Sequence, residues 1–128
     1  GGGGMTFSYG LAVAVGGAIG ALARSGIAAL LPSAAGFPFA TFSVNVLGSL
    51  AIGVCWAATS RWHIDPIVTA FLMTGLLGGF TTFSTFSLDS LQLLMDGHYA
   101  TALAYMLLSV TVCIAGAAIG IWFMRFVG

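Results

Sequence analysis

Gly75-Leu-Leu-Gly-Gly-Phe-Thr-Thr-Phe-Ser-Thr-Phe-Ser-Leu-Asp-Ser90 is the stretch that decides the fold of this chain. Glycine occupies three of its first five positions, and each glycine weakens a helix by about 1 kcal/mol relative to alanine. Six hydroxyl side chains follow, with phenylalanine at every third position among them. Hydroxyls need hydrogen-bond partners where water is absent. The stretch therefore predicts an interrupted membrane helix that lines or binds something.

The composition is that of an integral membrane protein. Of the 128 residues, 59% are hydrophobic and only 5% are charged, and the mean hydropathy is +1.11. A soluble domain has about 25% charged residues. The net charge is zero and lysine is absent, which argues against nucleic acid as a partner. Cys55 and Cys113 lie in apolar runs, and we interpret them as buried small hydrophobic residues rather than as a disulfide or metal ligands.

Four apolar runs are long enough to cross a bilayer about 30 Å thick as helices of about 20 residues. They cover residues 7–31, 39–60, 66–95 and 99–126. Asp65 suits the N-cap of the third helix and Pro66 its first turn. The segment from Asp96 to His98 is expected to form a tight turn. Gly1 to Gly4 precede a methionine and are interpreted as an artificial leader, which leaves residues 5–128 as one all-α membrane domain.

Small residues spaced four apart let membrane helices approach closely. Three such pairs occur here: Gly16 and Gly20, Gly75 and Gly79, and Gly116 and Gly120. For the first and last pairs, packing within a helix bundle is a sufficient explanation. Four helices are too few to enclose an aqueous path and seal it from lipid. We therefore expect an oligomer, most simply a two-fold dimer.

Charge gives almost no preference for one orientation in the membrane. Arg61 and Arg125 would lie on one side and Arg24 toward the other, and arginine and lysine bias is what sets topology. Insertion in both directions would permit an antiparallel dimer, whose third helices would meet at the midplane. Carbonyls freed by a break in those helices would suit a hard cation such as Na⁺. A packing kink without an ion is the alternative.

Beyond the break, Phe83 and Phe86 are expected to share one side of a helix. Thr82, Thr85 and Asp89 would form an adjacent polar line. Because aromatic ring edges carry partial positive charge, they could meet a small anion while hydroxyls donate hydrogen bonds to it. On these grounds alone, ordinary core or lipid contact is the simpler interpretation of the phenylalanines.

The ten residues Gly78-Gly-Phe-Thr-Thr-Phe-Ser-Thr-Phe-Ser87 resemble the signature of the Fluc (CrcB-type) fluoride channels. Thr41-Phe-Ser-Val-Asn45, followed by Gly48, resembles the second-helix motif of that family. Gly20-Ala-Leu-Ala-Arg24 resembles its first-helix arginine segment, and Gly97-His-Tyr-Ala100 resembles the turn before helix four. The resemblance extends over essentially all of the proposed membrane domain.

This resemblance implies an antiparallel, dual-topology homodimer with two pores, which exports fluoride passively and selects it over chloride. It implies that the carbonyls of Gly78 and Thr81 hold a structural Na⁺ at the dimer axis. It also implies fluoride-pore roles for eight residues: Asn45, Phe83, Phe86, Ser84, Thr85, Tyr105, Ser109 and Arg24. Phe80 and Asp89 depart from the aliphatic residue and the glutamate expected there, and Asp89 could alter the charge at the pore mouth.

Other function classes fit the sequence less well. A four-helix, proton-coupled multidrug transporter needs an acid in its first span, and residues 7–31 contain only Arg24 as a charged residue. An enzyme is not indicated, because His63 and His98 lie in loops without paired carboxylates or a His-Glu-x-x-His pattern. A purely structural membrane subunit would explain the glycine pairs but not the hydroxyls beside the phenylalanines.

Overall fold

The computed structural model describes residues 6–31 and 36–127, which are helical apart from short connections. Helix α1 is Phe7–Leu30, α2 is Phe39–Arg61, α3 is 66–80, α4 is Phe83–Met95 and α5 is Tyr99–Phe123 with a 3₁₀ turn at Met124–Phe126. Four segments are long and apolar enough to span a membrane: Phe7–Leu30, Phe39–Arg61, Pro66–Met95 and Tyr99–Phe126. The predicted all-α, four-span architecture is confirmed, with α3 and α4 together forming the third span. The supposed leader, Gly1 to Gly4, lies outside the described residues.

Local capping explains where the third span begins and ends. The Ile67 N–H donates to Asp65 Oδ1 at 2.8 Å, and Pro66 is the first helical residue, as predicted. At the other end Gly97 has a φ of +81°, a conformation that glycine adopts without strain. The N–H of His98 donates to the Leu93 carbonyl at 2.8 Å, which closes a Schellman turn before α5.

Helix α3 contains a π-helical segment, Ala70–Leu77, between short α-helical turns. The Gly78 N–H points back to the carbonyl of Met73, five residues earlier, as in a π-helix. The hydropathy pattern that predicts the span carries no sign of this wider turn.

Helix α1 packs against α3 through backbone contacts at glycines. A Cβ at Gly16 would lie 2.5 Å from the Phe71 carbonyl oxygen, and one at Gly20 would collide with the Leu76 carbonyl. The tight packing predicted for this pair is confirmed.

Helices α2 and α5 form the other close pair of the bundle. A Cβ at Gly120 would collide with the Leu50 carbonyl, whereas one at Gly116 would meet nothing closer than 3.6 Å. The close approach of α2 and α5 therefore requires glycine at position 120 but not at position 116. The thiols of Cys55 and Cys113 are free and partly exposed. Their interpretation as buried residues is wrong for this chain, because both are of intermediate exposure, and Cys113 also borders a cavity.

Candidate functional site

The candidate site surrounds a two-residue interruption between α3 and α4. Thr81 has φ −85° and ψ 157°, and Thr82 has φ −149° and ψ 116°, so both have extended backbone. The Thr82 side chain caps α4, since its Oγ1 accepts a hydrogen bond from the Thr85 N–H at 3.2 Å. The hydroxyl predicted to satisfy freed backbone groups thus starts the next helix.

Asn45 on α2 holds this interruption from across the bundle. Its Nδ2 donates to the Thr82 carbonyl at 3.1 Å, and its Oδ1 accepts from the Thr82 N–H at 2.8 Å. Gly48, one turn further along α2, leaves room for the Thr81 methyl group, with which a Cβ there would collide. The amide and the glycine together bring α2 against both extended residues.

The carbonyls of Gly78 and Thr81 lose the amides that a continuous helix would give them. The Thr82 N–H, four residues after Gly78, donates to Asn45 instead. The Thr85 N–H, four residues after Thr81, donates to the Thr82 side chain instead. Carbonyl oxygens released in this way at membrane depth need another partner. These two residues are the ones expected to hold a cation.

Within residues 6–31 and 36–127, no group of three His, Cys, Asp or Glu side chains lies close enough to hold a metal ion. Backbone carbonyls are hard oxygen donors, which suit Na⁺ or another hard cation. The donor set at the interruption therefore fits the ion that the sequence predicts.

Arg24 braces the interruption from the α1 side. Its Nε donates to the Gly79 carbonyl at 3.1 Å. With Thr41, Thr82 and Thr85 it borders a small cavity of about 60 Å³. The cavity therefore combines a guanidinium with hydroxyls, which are groups that can donate hydrogen bonds to an anion. Thr41 was not singled out from the sequence, although its position four residues before Asn45 places both on one side of α2.

The two phenylalanines lie side by side, as their spacing predicts. The ring centroids of Phe83 and Phe86 are 5.6 Å apart, and Phe86 is 5.1 Å from the ring of Tyr105. Phe83 is 78% exposed, whereas Tyr105 is fully buried. The Tyr105 hydroxyl donates to Asp89 Oδ2 at 3.1 Å. A row of three aromatic rings therefore runs from the exposed Phe83 at the interruption to a part-buried contact with the Asp89 carboxylate.

A second, larger cavity of about 430 Å³ opens beside the interruption. Ser109 on α5 borders it and is only 6% exposed, and its hydroxyl has no hydrogen-bond partner among the described residues. A buried hydroxyl without a partner costs free energy unless something else binds it. The hydroxyl oxygen itself is shielded, so it is the residue rather than this oxygen that borders the cavity.

The structure brings most of the predicted site residues to these two cavities, but not all of them. The larger cavity is bordered by six: Asn45, Gly78, Thr81, Phe83, Phe86 and Ser109. Arg24 and Thr85 border the smaller one. Tyr105 borders neither and is joined through Phe86. Ser84 is exposed and its hydroxyl lies 3.4 Å from Thr82 Oγ1, so it lies beside the interruption without reaching either cavity.

Comparison with known proteins gives consistent matches. A family model described as CrcB-like protein, Camphor Resistance (CrcB), matches residues 11–121. A Phocaeicola vulgatus protein named fluoride-specific ion channel FluC is 51% identical over 86 residues, 67% of this chain and 71% of that one. A protein of the same name from Saccharophagus degradans is 43% identical, covering 87% and 85%. Fluoride-specific ion channel FluC 1 of Nitrobacter hamburgensis is 41% identical, covering 94% and 98%.

Proposed function

Because the chain belongs to the CrcB-like family, we propose that it is a fluoride-selective channel that lets fluoride leave the cell passively and so relieves fluoride toxicity. It is a multi-pass protein of the cell membrane, with four helices long and apolar enough to span it. The observation that carries the proposal is the interruption at Thr81 and Thr82, where donors and aromatic edges from three helices border one cavity.

The chemistry of the cavity suits fluoride. Fluoride is a small anion that accepts strong hydrogen bonds, so a pore must replace its water with donors. The hydroxyl of Ser109 has no partner within residues 6–31 and 36–127, and an asparagine amide has a second N–H beyond the one Asn45 uses for Thr82. The ring edges of Phe83 and Phe86 carry partial positive charge that can contact the anion. Chloride is larger and depends less on such donors, so a narrow path of this kind favours fluoride.

The remaining polar residues extend the path on either side. Arg24 places a positive charge beside the Thr85 hydroxyl at the smaller cavity, which attracts an anion toward the interruption. Tyr105 carries the aromatic row on to Asp89. The exposed hydroxyl of Ser84 lies at the edge of this path. We assign these residues to the entrance of the fluoride path rather than to its narrowest part.

The exposed rim of the cavity supports an antiparallel homodimer with two pores. One chain leaves Phe83 78% exposed and the cavity open, and a channel in this state could not exclude lipid. A second copy in the opposite orientation would cover this surface. The arginines give little preference for one topology. In such a dimer the two interruptions would lie at the bilayer midplane, close to the two-fold axis.

The carbonyls of Gly78 and Thr81 are the residues that would hold a structural Na⁺ at that axis. The support is that their i+4 amides donate to Asn45 and to Thr82 instead. When bound, the ion would neutralise these carbonyl dipoles and raise the local positive potential. Asn45 and Arg24 hold Thr82 and Gly79 in place through their hydrogen bonds, whether or not the ion is bound.

Efflux from liposomes tests the proposal. Purified protein is reconstituted into vesicles loaded with KF, the vesicles are diluted into fluoride-free medium, and valinomycin carries K⁺ while an electrode follows fluoride. Fast, valinomycin-dependent fluoride release with little chloride release from KCl-loaded vesicles is expected. Absence of fluoride release from folded, dimeric protein would contradict the proposal. Replacing external and internal Na⁺ with a large organic cation tests the Na⁺ site separately.

A further inference from the structure

Two arginines, Arg61 and Arg125, belong to the same end of the bundle, away from the interruption. The Arg61 side chain donates through Nη1 to the carbonyl of Met124. Met124 directly precedes Arg125, and both arginines are exposed. The contact therefore joins the Arg61 side chain to the residue that precedes Arg125, where α2 and α5 end.

The acidic residues of the chain only partly neutralise this pair. The chain has three acids in all. Asp65 is the nearest in sequence and lies at the same end of the bundle, where its exposed carboxylate offsets one of the two positive charges. Asp89 accepts from Tyr105, and Asp96 precedes α5, whose 25 residues extend roughly 38 Å from there to the arginines. This end of the bundle keeps a net positive charge.

Aromatic rings flank the arginine pair. The guanidinium carbon of Arg61 lies 5.5 Å from the centroid of the Trp62 ring. The rings of Trp122 and Phe126 pack edge-on with centroids 4.9 Å apart. Exposed tryptophans at the ends of membrane helices sit at the level of the lipid headgroups. The two arginines are therefore held at the depth where lipid phosphates lie.

We propose that Arg61 and Arg125 form a binding site for the phosphate of an anionic phospholipid. A guanidinium presents a planar fork of donors that matches a phosphate, and it is more weakly hydrated than an ammonium group. The neighbouring rings contact the glycerol and upper acyl region, which a free phosphate ion does not offer. The site is independent of the proposed channel function. In an antiparallel dimer, each leaflet would meet one copy of it.

Native mass spectrometry of the purified protein, titrated with phosphatidylglycerol or phosphatidylcholine of the same acyl chains, tests the site. The parent protein should retain phosphatidylglycerol preferentially. Arg125→Gln should reduce that preference about fivefold, since one arginine near an anionic surface contributes about that factor. This variant leaves the Arg61 contact with Met124 in place, so its fold is expected to survive. Arg125→Lys keeps the charge but not the planar fork, so its preference should fall between those of the parent and Arg125→Gln.

Two controls make the result decisive. His98→Gln changes a polar residue at the opposite end of α5 and should not alter lipid retention. Adding inorganic phosphate should leave the bound phosphatidylglycerol in place. An unchanged preference in both Arg125→Gln and the Arg61→Gln, Arg125→Gln double variant would overturn the proposal. Displacement by inorganic phosphate would also overturn it, because the site would then bind a free anion rather than a lipid.

Discussion

The side-chain amide of Asn45 is paired with the backbone of Thr82 through two hydrogen bonds, one donated to the carbonyl and one accepted from the N–H. The two residues are 37 positions apart in the chain. The pairing supplies to one extended residue both of the bonds that a continuous helix would have given it. Asn45 thus stabilises the interruption, whatever else its second N–H contacts.

Asn45→Asp is expected to reduce fluoride efflux by about tenfold or more. The aspartate lacks the donor to the Thr82 carbonyl and leaves two acceptors facing each other, which should destabilise the interruption by about 1–3 kcal/mol. The liposome assay with the fluoride electrode measures the rate. Ser43→Ala on the same helix is the matched control, since Ser43 borders neither cavity. If folded Asn45→Asp shows the efflux rate of the parent protein, Asn45 neither contacts fluoride in the pore nor is needed to hold Thr82.

Phe83→Ile and Phe86→Ile are each expected to slow fluoride efflux while leaving the protein folded, because isoleucine fills space but has no electropositive ring edge. Phe83 is largely exposed in one chain, so its replacement should scarcely change monomer stability. Phe86 packs against Tyr105, and its replacement should cost about 1 kcal/mol.

The control for both phenylalanine variants is Phe123→Ile, an exposed ring on α5 far along the chain from the interruption. Efflux rates are compared at equal amounts of dimer, judged by size-exclusion chromatography. If the two test variants conduct like the control, contact of fluoride with ring edges is wrong for this protein.

Ser109→Ala tests whether the Ser109 hydroxyl binds fluoride or only stabilises the fold. The Ser109 hydroxyl has no partner among the described residues, so its removal should leave thermal stability unchanged or raise it by up to about 1 kcal/mol. Fluoride efflux should fall several-fold because a donor to the ion is lost. Ser90→Ala is the control, since the Ser90 hydroxyl already donates to the Phe86 carbonyl at 2.8 Å. Reduced stability with normal efflux would instead indicate a structural hydroxyl.

Gly20→Ala should destabilise the protein by about 1–3 kcal/mol, because the new methyl group collides with the backbone of α3 and the two helices cannot repack without separating. The matched control is Gly26→Ala in the same helix, where a Cβ would meet nothing within 4 Å. Thermal unfolding followed by size-exclusion chromatography measures the difference. Equal stability of the two variants would show that α1 and α3 can move apart freely.

Much of the fold is predictable from the sequence because its signals are local. Spans follow from runs of apolar residues, and their ends follow from capping residues such as Asp65 and Gly97. The π-helical segment Ala70–Leu77 was not predictable in this way, since its residues have no distinctive spacing. The partial exposure of Cys113 was missed for a similar reason: an apolar run does not say which side of a helix faces a cavity.

The sequence by itself determined that four helices are long and apolar enough to cross a membrane and that phenylalanines three apart share a side, and it predicted an interruption in the third span, which the structure has at Thr81 and Thr82 rather than at the glycines. These features depend on residues within a few positions of one another. Only the tertiary structure decided that Asn45 holds Thr82, that Arg24 reaches Gly79, and that the Ser109 hydroxyl has no partner in the part of the chain that the structure describes. Those contacts depend on how each helix is rotated and offset against its neighbours, and that is set by the summed packing of the whole bundle.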